Sequence, residues 1–124
     1  MSRKIKQAFE RGDLFSNKCP SREVMKAVTN KWGGLIILAL SHGETKRFSE
    51  LRRQIQGISE KMLIQNLRTL EEMGFVHREA YDVIPPYVEY SLTPLGMELS
   101  HYVLDLKEWI EVNIFKIFGE EVFG

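Results

Sequence analysis

Three side chains with hydrogen-bonding heads, Lys61, Gln65 and Arg68, recur at intervals of four and three residues. A helix turns by about 100° per residue, so this spacing places all three on one face. Arginine can pair with guanine and glutamine with adenine, which suits the row to base edges in the major groove of DNA. An ordinary solvated helix face is the alternative interpretation.

Other side chains near this row suit the DNA backbone, because cations and helix N-termini bind phosphate. Ser59 is the predicted N-cap of the same helix, so its hydroxyl and nearby backbone N–H groups could meet a phosphate. Any of the basic candidates could instead pair with Glu50 or another surface acid. The predicted sequence-independent contacts to phosphate are four arginines: Arg47, Arg52, Arg53 and Arg78.

The net charge is zero, but the charges are distributed unevenly along the chain. Residues 1–45 carry eight basic and four acidic side chains, and residues 46–70 carry six and two. Residues 71–94 carry one basic and five acidic side chains, and residues 95–124 carry two and six. A neutral protein of this kind can present one positive face to phosphates. A solvated surface with chance asymmetry is the alternative.

The elements that position these residues are predicted to be a helix-turn-helix. Apolar residues at a spacing of three and four predict a short helix over 48–55, and residues 56–58 predict a tight turn. A second helix is predicted from Ser59, with an apolar stripe at Leu63, Leu67 and Leu70, to a capping glycine at 74. Two further helices are predicted upstream, over about 21–28 and 32–40.

Residues 75–81 and 87–92 alternate in character and predict two strands joined by a proline-containing turn. A hairpin directly after a helix-turn-helix is a wing. Thr93-Pro94 then predicts the start of a final helix, whose apolar spacing continues to Ile117. The predicted fold class is mainly α with a small antiparallel β-wing (α+β), a winged helix-turn-helix that is dimeric through its terminal helices.

The predicted organisation is one compact domain in three parts: an arm at 1–18, a DNA-binding part at 19–93 and a dimerisation helix at 94–124. The last helix is too apolar for a free surface helix, so we expect it to pair with a second copy, aided by the arm. Covering the monomer core is the alternative. The predicted interface residues are Leu99, Tyr102, Val103, Leu106, Trp109, Ile110 and Ile114.

Cys19 is the single cysteine of the chain, which excludes an internal disulfide and a multi-cysteine zinc site. It precedes Pro20 at a predicted helix start, with Lys18 and Arg22 nearby. Positive charge at such a position favours the reactive thiolate. Cys19 is therefore the candidate redox sensor, and its disulfide would have to be intermolecular or formed with a small thiol. A buried, inert cysteine is the alternative.

No pattern in the sequence predicts catalysis. His42, His77 and His101 lack motif spacing, and no phosphate loop, nucleophile elbow or zinc signature occurs. We expect neither an enzyme nor a bound metal or cofactor. The start lacks a secretory signal, and the longest apolar run, residues 35–40, is too short to span a bilayer. The expectation is a soluble cytoplasmic protein without membrane contact.

The segment from Cys19 to about Trp109 contains the stretches Cys19-Pro20, Lys31-Trp32, Arg47-Phe48-Ser49-Glu50-Leu51-Arg52-Arg53, Gly57-Ile58-Ser59-Glu60-Lys61-Met62-Leu63, Gly74-Phe75-Val76 and Pro85-Pro86-Tyr87-Val88-Glu89-Tyr90-Ser91-Leu92-Thr93-Pro94-Leu95-Gly96. In these stretches and their order it resembles the HxlR-type branch of the MarR-like winged-helix regulators. Gly33-Gly34 departs from the bulkier pair that usually follows the tryptophan in that family. The resemblance implies a homodimer that regulates transcription at pseudo-palindromic operators. It also implies that some members sense oxidants or electrophiles through the cysteine at the first helix.

Two other functions stay open on the sequence alone. The first is a regulator without thiol sensing, gated by a small apolar ligand between the dimer helices and the DNA-binding part. The second is a winged-helix module for protein–protein assembly with no DNA role. Strong salt dependence of binding to heparin and to a palindromic duplex separates a DNA binder from the second alternative.

Overall fold

The structure is a computed structural model that describes residues 14–120. The helices and strands follow the order that the sequence patterns predict, with one additional short strand and with the final helix divided in two. The helices are α1 (Pro20–Thr29), α2 (Gly33–Ala39), α3 (Phe48–Gln54), α4 (Glu60–Glu72), α5 (Pro94–Val112) and α6 (Ile114–Phe118). The strands are β1 (Lys46–Arg47), β2 (Val76–Tyr81) and β3 (Tyr87–Leu92).

The three strands form one antiparallel sheet in the order β1-β3-β2. The β2–β3 hairpin is the predicted wing, and its register runs from Val76 opposite Leu92 to Tyr81 opposite Tyr87. Strand β1 adds Lys46 opposite Tyr90 on the other side of β3. The sequence does not predict β1, because two residues are too short for an alternating pattern. This strand brings the start of α3 against the wing.

The helix-turn-helix consists of α3, a turn and α4. Gly57 in the turn and Gly74 after α4 have φ angles of +90° and +82°, which favour glycine because it has no β-carbon. The predicted apolar stripe of α4 is confirmed, since Leu63, Leu67 and Leu70 are fully buried. The stripe packs on a core that also includes Ile36, Ile37, Leu40, Leu51, Phe75 and Tyr90.

The glycine pair that departs from the family pattern lies at the start of α2. Gly33 is buried, and a β-carbon there would lie 1.9 Å from the carbonyl oxygen of Ala27. The side chain of Asn30 spans this junction: its Oδ1 accepts from the Gly33 N–H at 2.9 Å and its Nδ2 donates to the Ala27 carbonyl at 3.0 Å. The missing side chain therefore allows close packing of α1 against α2.

The prediction of one continuous final helix to Ile117 is wrong. Helix α5 ends at Val112, and Ile114 belongs to the separate helix α6. The break is at Asn113, which leaves helical geometry (φ −102°, ψ 8°) and donates its side-chain amide to the carbonyl of Trp109 at 2.8 Å. The same carbonyl also accepts the backbone N–H of Asn113 at 3.1 Å, so it receives two hydrogen bonds at the helix end.

The predicted arm at 1–18 falls largely outside the described residues, and so does the end of the segment at 94–124. Residues 14–18 form turns, in which the Cys19 N–H donates to the carbonyl of Ser16 at 3.1 Å. Within residues 14–120, no helix is both long and apolar enough to cross a membrane. The same residues contain no cluster of three or more acidic, histidine or cysteine side chains that could hold a metal.

Candidate nucleic-acid interface

The exposed face of α4 carries the predicted base-reading row. Lys61, Gln65 and Arg68 are all exposed, and they line one shallow groove along the helix with Ile64 and Thr69. This arrangement follows from burial of the opposite stripe, which turns the polar row outward. The acidic residues Glu60 and Glu72 line the same groove. The role of the row in reading bases stays a prediction.

Ser59 is the N-cap of α4, as predicted. Its hydroxyl oxygen accepts a hydrogen bond from the Met62 N–H at 3.1 Å. The hydroxyl hydrogen remains a donor, and the residue is exposed. The Ser59 hydroxyl is therefore accessible to a DNA phosphate, and contact between the two stays a prediction.

A groove of about 710 Å³ lies between α4 and the wing. Arg47, Arg68 and Arg78 line it from three different elements, so the fold brings together arginines that are far apart in sequence. Among residues 14–120, none of the three has a carboxylate within 4.0 Å. Glu60 and Glu71 also border the groove. Three guanidinium groups without close ion-pair partners are suited to an anionic ligand.

Arg47 contacts an aromatic ring of the wing. Its guanidinium carbon lies 3.8 Å from the ring centroid of Tyr87, and Tyr87 stacks on Tyr81 with centroids 4.8 Å apart and planes at 21°. The negative charge of Glu89 raises the pKa of the Tyr81 hydroxyl above its ordinary 10.0. Burial and the charge of Glu79 are smaller causes of the same shift. Sequence reasoning missed Tyr87, because its contact with Arg47 depends on the β1–β3 pairing that no pattern predicts.

The predicted phosphate-binding arginines of α3 have different surroundings. Arg52 lies 3.8 Å from a carboxylate oxygen of Glu60, and both side chains are more than half exposed. Such exposed pairs contribute little and leave the arginine free to exchange partners. Arg53 is exposed and has no carboxylate within 4.0 Å in the described part of the chain. Glu50 instead accepts the backbone N–H of Arg47 at 2.9 Å.

The tip of the wing is apolar and acidic. Asp82 to Pro86 are all exposed, and the segment contains no lysine or arginine. Arg78, the predicted phosphate contact in this hairpin, lies on β2 and lines the α4–wing groove. The basic charge of the wing is therefore at its base, next to the helix-turn-helix.

Cys19 occupies the N-cap position of α1 and is buried, with 4% of its surface exposed. The guanidinium of the nearby Arg22 donates a hydrogen bond to the carbonyl of Phe15 at 3.0 Å. The thiol is thus covered in this conformation. Its reactivity stays a prediction.

The predicted interface residues divide into two groups. Leu99 and Val103 are half-buried against the chain's own core, and Ile114 is half-buried on α6. The other four form an apolar stripe, and three of them have more than half of their surface exposed. The stripe consists of Tyr102 (75% exposed), Leu106 (55%), Trp109 (59%) and Ile110 (40%).

A capped, outward-facing second helix followed directly by a hairpin defines a winged helix-turn-helix of the DNA-binding type. The HxlR-like helix-turn-helix family profile matches residues 27–117. The chain belongs to this family and is a transcriptional regulator of the HxlR type.

Three similar proteins extend this comparison. An uncharacterized HTH-type transcriptional regulator, YtfH of Escherichia coli (strain K12), is 56% identical over 89% of this chain and 86% of its own length. A solved structure of ytfH from Salmonella typhimurium is 54% identical with a TM-score of 0.81, covering 87% of this chain and 96% of that one. The redox regulator HypR in its reduced form is 42% identical with a TM-score of 0.72, covering 79% and 96%. HypR is also solved in an oxidised form.

Proposed function

We propose that this protein binds two-fold symmetric operator DNA as a homodimer and regulates transcription by occupying its site. The observation that carries the proposal is the exposed row of Lys61, Gln65 and Arg68 on a capped helix beside an arginine-lined groove. The protein acts by binding rather than by catalysis. Its place of action is the cytoplasm, where the operator is accessible.

Contacts to DNA divide into two classes. Lys61, Gln65 and Arg68 read base edges in the major groove, where a bidentate pair contributes about 1–3 kcal/mol of discrimination. The phosphate contacts fix the register and contribute affinity without sequence preference. They are made by Ser59, Arg47, Arg52, Arg53 and Arg78.

The two-fold partner is a second copy of the chain, packed on the apolar stripe of α5. Exposed large apolar residues that lie three and four positions apart are typical of a helix that buries them against another helix. Leu99 and Val103, which pack against the chain's own core, would lie beside the stripe at the interface, and Ile114 would extend it along the chain. A two-fold interface places two copies of α4 at the spacing of successive major grooves.

Arg68→Ala is expected to lose discrimination, whereas Arg52→Ala is expected to weaken binding to all duplexes alike. The first change removes a base contact, and we expect about a 10- to 100-fold loss on the selected duplex with little loss on unrelated DNA. The second removes a phosphate contact and lowers the slope of log affinity against log salt by about 1. Affinities are measured by fluorescence anisotropy on a duplex selected from random sequences by the parent protein.

This pair of variants also tests the proposal as a whole. Parent-like binding by both variants would refute the assignment of contacts. A parent protein that ignores duplex DNA and heparin at low salt would refute DNA binding and favour the protein–protein module instead.

The signal that we propose is oxidation or electrophile modification of Cys19. The relative HypR, a redox regulator solved in two redox forms, supports this assignment, and so does the position of the thiol at the start of α1. In an oxidation, two Cys19 thiols from two chains give up two electrons and two protons to the oxidant and form one disulfide. Alternatively, one Cys19 thiol and one small thiol together give up two electrons and two protons to the same oxidant and form a mixed disulfide. Burial of Cys19 implies that local opening precedes either reaction.

Diamide or quinone treatment is expected to change the operator affinity of the parent protein and to leave Cys19→Ser unchanged. The serine keeps the size and N-cap character of the residue but cannot form a disulfide or thioether. Operator binding is measured before and after treatment, and mass spectrometry identifies the adduct. Unchanged binding by fully modified parent protein, or the same response in Cys19→Ser, would eliminate thiol sensing.

A second candidate signal is a small apolar ligand. An apolar groove of about 400 Å³ lies between α5 and the α1–α2 part of the DNA-binding unit. This is the location expected for a ligand-gated regulator, and an inert Cys19 together with ligand-dependent operator release would favour it. The groove is lined mainly by Val28, Leu35, Leu38, Val103, Leu106 and Ile110.

A further inference from the structure

We infer that Tyr87 is a positioning residue that holds the Arg47 guanidinium ready for a DNA phosphate; the inference rests on the function proposed above. Tyr87 lies at the start of β3, directly after the tip of the wing, and borders the α4–wing groove together with Arg47. Its own ring is not required to touch DNA. Its effect would be transmitted through the arginine.

The sheet places Arg47 on the Tyr87 ring. Strand β3 lies between β1 and β2, and Arg47 is opposite Glu89, two residues from Tyr87. This diagonal separation is within reach of a long side chain. Arg47 therefore approaches the ring from the β1 side, at 3.8 Å, while Tyr81 stacks on it from the β2 side, at 4.8 Å.

The contact leaves the hydrogen-bonding capacity of Arg47 available. A guanidinium packed on an aromatic face uses its π surface, and its five N–H donors point outward in its own plane. An ion pair would instead occupy two of these donors. Within the described residues, Arg47 has no carboxylate within 4.0 Å, so stacking is the contact that orients it.

The backbone of Arg47 is fixed as well. Its N–H donates to the Glu50 carboxylate at 2.9 Å, and the residue pairs with Glu89 in the sheet. Only the side chain would have to be ordered when DNA binds, and the Tyr87 ring orders it in advance. Ordering before binding increases affinity because less rotamer freedom is lost in the complex.

Tyr87→Leu is expected to weaken binding to a selected duplex by about 3- to 10-fold, the range for an exposed to half-buried cation–π contact. Tyr87→Phe, which keeps the ring, is expected to restore binding to within about twofold of the parent. The double variant Tyr87→Leu/Arg47→Ala is expected to bind no more weakly than Arg47→Ala alone, because the ring acts through the arginine. Affinities are measured by anisotropy, and melting temperatures are recorded for every variant.

Tyr81→Leu is the comparison variant: it keeps the Arg47–Tyr87 contact but removes the ring that stacks on Tyr87, so a clearly smaller loss than in Tyr87→Leu is expected. A loss in Tyr81→Leu as large as that in Tyr87→Leu, full additivity in the double variant, or no loss in either Arg47→Ala or Tyr87→Leu would overturn the inference while leaving DNA binding intact. Absence of DNA binding by the parent would instead refute the proposed function. If Tyr87→Leu is unfolded at the assay temperature, Tyr87→Met gives the same comparison.

Discussion

Trp109→Glu is expected to be monomeric and to bind a two-fold operator about 1000-fold more weakly than the parent, near the level of non-specific DNA binding. Trp109 lies in the middle of the exposed apolar stripe of α5 and has 59% of its surface exposed. A carboxylate at this position would be buried without a partner if a second chain packed there. Each released monomer would then hold only one half-site.

The monomer itself should tolerate this substitution, because Trp109 is not part of the buried core. Circular dichroism should therefore show an unchanged helix content, while sedimentation equilibrium shows half the parent mass. Anisotropy on the two-fold duplex and on an isolated half-site measures the expected loss. The half-site affinity should change little, because no residue of α5 lines the groove along α4 or the α4–wing groove.

His101→Glu is the matched control for added charge. His101 is exposed on a different side of α5, about 80° from Trp109 at 100° per residue and away from the apolar stripe. It should remain dimeric and bind the operator like the parent. A dimeric Trp109→Glu protein with full operator affinity would refute the proposed interface, including the roles of Tyr102, Leu106 and Ile110.

Local patterns were sufficient to predict the helix-turn-helix and the wing. The stripe of Leu63, Leu67 and Leu70 identifies the buried side of α4, and helix geometry then places Lys61, Gln65 and Arg68 on the other side. No knowledge of neighbouring elements is needed for that step. Alternation over 87–92 likewise predicts β3 with its observed bounds.

Features that depend on tertiary pairing could not be predicted in the same way. Strand β1 is two residues long, so its existence is determined by its partner β3 rather than by any periodicity of its own. The Arg47–Tyr87 contact depends on this pairing. The partner of Arg52 is Glu60 of the next helix, which local spacing alone does not identify.

The break at Asn113 was missed for a different reason. Apolar residues at 110, 114 and 117 keep a helical spacing across it, and asparagine is only mildly unfavourable inside a helix. The side-chain hydrogen bond to the Trp109 carbonyl does not end the helix by itself, because Asn66 makes the same bond to Met62 where α4 continues. Periodicity reports which side of a helix is buried and is insensitive to a change of backbone angles at a single residue such as Asn113.

Gly96→Ala is expected to lower the free energy of unfolding by about 3 kcal/mol. Gly96 lies in the first turn of α5, where a β-carbon would be only 2.1 Å from the carbonyl oxygen of Phe75. That oxygen already accepts the Thr93 N–H at 3.0 Å, so it cannot move away without straining the bond that connects the wing to α5. The gain in helix propensity from glycine to alanine, about 1 kcal/mol, offsets only part of this.

Gly34→Ala is the matched control, because it gains the same helix propensity at another helical glycine. A β-carbon at Gly34 would lie 3.1 Å from the carbonyl oxygen of Val28, a tight contact that a small shift relieves. Its free energy of unfolding should stay within about 1 kcal/mol of the parent. Urea denaturation of the three proteins at one protein concentration measures both changes, since the stability of a dimer depends on concentration. Equal denaturation midpoints for Gly96→Ala and Gly34→Ala would show that close backbone packing at the α5 junction does not limit stability.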